Sequence, residues 1–522
     1  MERRIPRTMS SQHPDNAGVP TWSRGEILAG EDEVYEAYYA YSVIGCEEVM
    51  WDAEGKDIDP DVVRKLLSAY PEFFRDRVLG RDIFLTYRVP NPSVERSERK
   101  VLLETLYAIP RHYDVAHGFY RSLDSPPVFE VILPFTRSHM ELVRVIDLYR
   151  KVVAEPERFR IGDDGITIGE WIGEINPKSI EVIPLIEDWD SMLNIDKIVG
   201  EFISAANPPY VRVFLARSDP ALNYGIIPAV LLLKLALSKL GELERRGDTP
   251  INPIVGCGSL PFRGHLNPRN IDSWFQEYGS VYTATIQSAF KYDYPLEEVK
   301  EAVRRLNSSL PSMDKPSLGE ISPQIVSCAE KLRGRYQEIV MEAGRVISNL
   351  SRIVPSRRTR RLHIGLFGYS RSVAGVRLPR AIPYTAIMYS IGIPPEFLGL
   401  RALDELVEEE FDALNTAYVN LKNDLREAAR YFSWRNVNMM LEGSEEVRRI
   451  FGEAFLKKAL PKMLMDVETA ESMLGVKTGP RTLSDRRHEN AVNDFLLFLM
   501  EGEIDEARKR LVEAAKIRRS LG

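Results

Sequence analysis

IEVIPLIED (180–188) and VRVFLARSD (211–219) follow one plan: a short, bulky apolar run that stops at a carboxylate, Glu187 in the first and Asp219 in the second. Apolar runs of this length suit strands buried on both faces. Six more runs read the same way: RTMSSQ (7–12), CEEVMW (46–51), DIFLTY (82–87), VFEVILP (128–134), NPIVGCG (252–258) and HIGLFGY (363–369). RTMSSQ is the least apolar of them. Helical patterns fill the gaps: DPDVVRKLLSAY (59–70), HMELVRVIDLYRKVV (139–153), IIPAVLLLKLALSKLGELERRG (226–247) and PLEEVKEAVRRLNSSL (295–310). Alternating strand and helix implies an α/β fold with a parallel sheet, and eight strands imply a closed (β/α)8 barrel of the TIM type. Beyond residue 380 the pattern is helical to the end, clearest at 403–432 and 503–521. The expected organisation is a catalytic barrel with inserted helices over 1–380 and a C-terminal helical layer over 381–522, packed as one unit.

Composition narrows the function class. The chain has 522 residues, 44% of them hydrophobic, enough for a large core. A net charge of -7 and a pI near 5.8 give no reason to expect nucleic acid as a partner. No run reaches the eighteen or so apolar residues of a membrane span, and the Arg-rich start has no apolar stretch behind it, so neither a membrane nor a secretory signal is expected. Cys46, Cys257 and Cys328 are far apart and form no CxxC pair, which suits a reducing cytoplasm and core or loop positions. Scarce glutamine beside 28% charged residues leans towards a thermophile.

In such barrels the chemistry sits past the C-terminal strand ends. Those positions hold His13; Asp52 and Glu54; Arg88; Arg137; Glu187 and Asp188; Ser218 and Asp219; Arg263 and His265; Ser370 and Arg371. Glu187 and Asp219, on neighbouring strands, are hard oxygen ligands of the kind Mg²⁺ or Mn²⁺ takes. Arginines supply paired donors for phosphate and carboxylate. Together they imply a small phosphorylated acid as substrate; taken singly, each is equally an ordinary strand-end charge in an ion pair. PSRRTRR (355–361) is expected to be a solvated loop, and GCGSLPFRG (256–264) is neither a dinucleotide nor a P-loop motif. His112, His117 and His139 lack metal-ligand spacing, His363 begins a strand, and His488 is expected at the surface or at a helix start.

Four stretches carry a family resemblance: RTMSSQHPDN (7–16), LARSDPALNYG (215–225), GSLPFRGHLNP (258–268) and GYSRS with VRLPRAIPY (368–384). With them the chain resembles the short, archaeal-type phosphoenolpyruvate carboxylases along its whole length. The resemblance implies carboxylation of phosphoenolpyruvate by bicarbonate, giving oxaloacetate and phosphate through carboxyphosphate and an enolate. It also implies a homotetramer. The longer bacterial and plant enzymes add residue matches. QHPDN is similar to their AHPT, implying a catalytic His13. IPLIED and ARSDP are similar to their metal-binding segments, implying Glu187 and Asp219 as ligands of Mg²⁺ or Mn²⁺. GSLPFRG, YSRS and PRAIPY imply phosphate and substrate roles for Arg263, Arg371 (both also catalytic), Ser370 and Arg380. Arg137 in PFTRS matches a further substrate arginine more loosely. Departures are Leu222 where the long enzymes have a lysine, Cys257 and Val255 in place of a loop arginine and histidine, and the ending Ser520-Leu521-Gly522. The alternative is another metal-dependent lyase or phosphotransferase of the phosphoenolpyruvate/pyruvate barrel type.

Overall fold

The computed structural model describes residues 4–55, 59–95, 99–121, 123, 125–359, 372–373 (backbone only) and 375–522. Eight parallel strands close a barrel in chain order: β1 (Thr8–Ser10), β2 (Glu48–Asp52), β3 (Phe84–Arg88), β4 (Glu130–Leu133), β5 (Glu181–Ile186), β6 (Val211–Ala216), β7 (Ile251–Gly256) and β8 (Thr283–Ile286). β8 pairs with β1 through Ala284 opposite Thr8 and Ile286 opposite Ser10, which shuts the ring. Seven strands coincide with the expected runs. The eighth does not: it is TATI, and HIGLFGY lies outside the described residues. Half of TATI is threonine, so no bulky run marks it; Thr283 instead donates its hydroxyl to Pro6 O at 2.6 Å.

Side chains alternate across a strand, so every second residue points into the barrel. The lowest inward layer is ionic. Arg212 of β6 is fully buried between Glu48 of β2 (2.6 Å) and Glu130 of β4 (2.8 Å). Two residues further along, the interior is apolar: Met9, Met50, Ile132, Ile183, Phe214 and Ile254 form one cluster. Two residues further again come Asp52, Arg88, Ala216 and Gly256, all of which line a cavity at the strand ends. The fold thus fills the barrel below and opens it above.

Helices wrap the ring. Ile226–Arg246 is buried along most of its length, and Ser322–Leu350 packs on it. Tyr336 of the latter donates its hydroxyl to Leu222 O (2.7 Å) and lies 3.0 Å from Tyr384 Oη, tying the outer layer to the loops around the cavity. From Ala381 the chain is helical; the last two helices, Leu483–Glu501 and Ile504–Arg518, pack as a pair. No described helix is long and apolar enough to cross a membrane. Cys46, Cys257 and Cys328 are buried. His488 is buried inside a helix, against Tyr431 and Arg518, and not at the surface as expected.

Candidate active site

The cavity at the strand ends encloses about 530 Å³. Its wall includes His13 after β1, Asp52 of β2 and Glu54 just after it, Arg88 of β3, Glu187 after β5, Asp219 after β6, Arg263 after β7 and Gln287 after β8. Arg380, Ala381, Ile382 and Pro383 from the C-terminal region cover it, and Leu521 reaches it too. Of the candidates read from sequence, His13, Glu187, Asp219, Arg263 and Arg380 therefore meet in one place. Ser370 and Arg371 lie outside the described residues. Arg137 stands apart: its side chain is 65% exposed and pairs with Asp188 at 3.1 Å. Local folding explains this. Ser138 caps the helix His139–Leu148, and Glu141 accepts the Arg137 N–H at 2.8 Å, which turns the Arg137 backbone into a helix start on the outside of the barrel.

The carboxylates are set by β5 and β6, paired at Leu185–Phe214 and Ile186–Leu215. Glu187 is buried. Burial, then the charges of Asp219 and Glu54, push its carboxyl well above the ordinary range. Oε2 accepts the Phe135 backbone N–H at 2.9 Å, and among the described residues no side chain pairs with Glu187. Phe135 adopts φ of 52°, a left-handed backbone that aims this N–H inward. A buried Glu187 and a half-buried Asp219, repelling one another beside an open volume, fit a divalent cation such as Mg²⁺ or Mn²⁺. Among the described residues there is no group of three or more His, Cys, Asp or Glu that could hold a metal, so water and substrate would complete the shell.

The arginines differ in what they have left to give. Arg88 makes a two-point pair with Asp52 and meets Glu54 at 3.1 Å. Burial opposes its charge, but these two acids more than restore it. Arg380 makes no hydrogen bond to a described residue; burial pulls its pKa down while Glu54 and Asp52 oppose that. Arg263 is almost saturated. Nε donates to Ser218 Oγ (3.2 Å), Nη1 to Asp15 (3.0 Å) and Gly522 O (2.8 Å), and Nη2 to Gln287 Oε1 (2.6 Å). The glycines of its loop make the room. A Cβ on Gly258 would stand 2.8 Å from the Arg263 guanidinium, and Gly264 has φ of 115° with Cys257 Sγ 2.6 Å from where its Cβ would be.

One sequence reading is corrected here. Arg357 and Arg358 of PSRRTRR are buried and line the cavity; Arg357 Nη2 donates to Ala17 O at 2.8 Å and Arg358 Nη2 to Glu36 at 2.5 Å. Their signal was hidden because a basic run reads as solvated unless its acceptors, here on the N-terminal segment, are known. Arg217 lines the same cavity and His265 follows Arg263 by two residues, and both side chains are engaged. Arg217 donates to Tyr278 Oη (3.2 Å) and Phe262 O (3.1 Å), and His265 Nδ1 sits 2.6 Å from Asp424. Sequence reasoning missed Gln287 because β8 was missed; Arg88 was on the strand-end list without a role.

His13 is held from behind. Ser11 Oγ lies 2.9 Å from Nδ1, and His13 O accepts the N–H groups of Asp15 (3.0 Å) and Ser288 (3.3 Å). Below it, Lys291 Nζ donates to Ser10 Oγ (3.0 Å), Ser11 O (3.1 Å) and Glu36 (2.9 Å), so the end of β1 is clamped by a buried ion pair.

The family model described as phosphoenolpyruvate carboxylase matches residues 5–522. A phosphoenolpyruvate carboxylase of Caldivirga maquilingensis is 44% identical over 520 residues, covering 100% of both chains. One of Metallosphaera sedula is 45% identical over 522 residues, again 100% of both. One of Pyrococcus abyssi is 50% identical over 431 residues, 83% of this chain and 89% of the relative. Over its whole length, then, the chain belongs to the phosphoenolpyruvate carboxylase family.

Proposed function

We propose that this cavity carboxylates phosphoenolpyruvate with bicarbonate, releasing oxaloacetate and inorganic phosphate. The observation that carries the reading is the convergence of Glu187, Asp219, Arg88, Arg263, Arg380 and His13 on one cavity in a chain of this family. Glu187 and Asp219 would hold Mg²⁺ or Mn²⁺, which supplies Lewis-acid polarisation and a template for substrate oxygens.

Arg380 and Arg88 bind the substrate's negative groups, and Arg263 adds one further donor to the phosphoryl oxygens. A bicarbonate oxygen attacks phosphorus, and the bond from phosphorus to the enol oxygen breaks, leaving carboxyphosphate and the enolate of pyruvate. His13 takes the carboxyl proton of carboxyphosphate, which drives its breakdown to CO₂ and phosphate. The methylene carbon of the enolate then attacks CO₂. Protonation of that carbon by water would give pyruvate instead, so the apolar wall of Phe135, Leu185, Phe214 and Ile382 serves to keep water out. Ser370 and Arg371 complete the substrate contacts in this reading. The family resemblance supports a homotetramer in the cytoplasm.

The test is a coupled assay with and without bicarbonate, following oxaloacetate through malate dehydrogenase and phosphate in parallel, before and after chelation of divalent metal. Equal, bicarbonate-dependent release of both products, lost on chelation and restored by Mn²⁺, is expected. Phosphate and pyruvate without oxaloacetate would move the chain to a related lyase or phosphatase.

A further inference from the structure

Asp15 follows His13 by two residues and is wholly buried. Oδ1 accepts the Ala289 N–H at 2.7 Å, which fixes the carboxylate to the segment after β8. Oδ2 accepts from Arg263 Nη1 at 3.0 Å. Its carbonyl oxygen accepts the Leu521 N–H at 2.7 Å, which brings Gly522 O within 2.8 Å of the same Arg263 nitrogen. One residue therefore joins the loop of His13, the loop of Arg263, the segment after β8 and the last residues of the chain.

The guanidinium has five N–H groups, of which four are committed to Ser218, Asp15, Gly522 and Gln287. One hydrogen on Nη2 is left for a ligand, and its direction depends on the other four being held. The charge of Asp219 also acts on Arg263. Asp15 supplies a carboxylate to Nη1, beside Gly522 O of the last residue on the same nitrogen.

We propose that Asp15 is a positioning residue: it fixes the Arg263 guanidinium and aims its remaining N–H at the phosphoryl group, so that the loop carrying His13 also sets the phosphate contact. This rests on the assignment of Arg263 to phosphate under the proposed function. An aspartate is required because a charge-assisted bond to a buried guanidinium and an acceptor for Ala289 are needed from one short side chain. Asparagine keeps the shape and the Ala289 acceptor but removes the charge.

The test is a double-mutant cycle on the full chain with Asp15→Asn, Arg263→Ala and both, reading KM for phosphoenolpyruvate, kcat and thermal stability. Asp15→Asn should raise that KM about tenfold or more with a smaller change in kcat, and should add nothing in the Arg263→Ala background. An equal penalty with and without Arg263 would show a structural role and overturn the proposal. An unchanged KM in Asp15→Asn, beside a raised KM in Arg263→Ala, would overturn the positioning role and leave the function standing. An unchanged KM in Arg263→Ala would overturn the assignment of Arg263, and the positioning role with it. If Asp15→Asn does not fold, Asp15→Ser, which keeps an acceptor near Ala289, is put through the same cycle.

Discussion

Arg88 grips Asp52 at two points, Nε at 2.9 Å and Nη2 at 2.7 Å, at the top of two strands whose last residues pair in register. The pair lies inside the barrel because Glu48, Met50 and Asp52 on β2, and Thr86 and Arg88 on β3, occupy alternate positions. Arg137 follows β4 beyond its turn and misses that alternation. Arg88→Ala should raise KM for phosphoenolpyruvate by roughly tenfold to a hundredfold, the range expected for loss of a charge-assisted contact. Arg137→Ala should stay within about twofold, as expected for an exposed ion pair. Steady-state kinetics on both variants decide this, and the reverse order would move the substrate contact to Arg137.

The same alternation shows how far the sequence could be read. Where a run was apolar and ended in a charge, as in IEVIPLIED and VRVFLARSD, the strand and its functional end were both legible. β8 was not, because Thr283 and Thr285 point into the barrel and make hydrogen bonds there, so the run lacked the bulk that marks the others. Missing it hid Gln287. Arg357 and Arg358 were hidden for a different reason: their partners, Ala17 O and Glu36, are hundreds of residues away, and long-range charge compensation leaves no local mark. His13 was legible as a strand-end residue, but its catalytic role came only from the motif resemblance, since RTMSSQ is the least apolar of the runs.

His13→Asn removes the proposed base without touching the metal carboxylates or the arginines. Binding of Mn²⁺ and phosphoenolpyruvate should persist, while oxaloacetate formation falls by roughly a hundredfold or more, the usual contribution of a general base. Bicarbonate-dependent phosphate release should outlast it, with pyruvate as the co-product. Product ratios measured by separate coupled enzymes check this; full oxaloacetate yield would remove His13 from the mechanism.

Arg212 lies far below the cavity, buried between Glu48 and Glu130 inside the barrel. Replacing it by Met leaves two buried carboxylates facing one another, and breaking a buried pair in this way costs about 3–5 kcal/mol. The melting temperature should drop accordingly. Adding Glu48→Gln and Glu130→Gln to Arg212→Met should recover much of the loss, because the remaining groups are then neutral. Calorimetry of the single and triple variants tests this. Equal melting temperatures for parent and Arg212→Met would show that the acids are already neutral in the parent.

Glu396 is the buried acid that steadies the Arg263 loop from outside. Oε1 accepts the Phe262 N–H at 2.9 Å and the Tyr389 hydroxyl at 2.7 Å, while Oε2 has no hydrogen-bond partner among the described residues. Burial pushes its carboxyl up to about 7, from an ordinary value of 4.5. The folded state therefore binds this proton more tightly than the unfolded chain. Its contribution to stability is complete below about pH 4.5 and is lost as pH rises towards 7. Gln at this position keeps the Oε1 acceptor and has no proton to lose. Relative to the parent, Glu396→Gln should gain about 3 kcal/mol between pH 4.5 and pH 8. Denaturant titrations of both proteins at the two pH values measure the difference directly, and other titrating groups cancel between them. A difference that does not move with pH would mean that Glu396 is ionised in the fold, with its charge balanced by a group other than Phe262 and Tyr389.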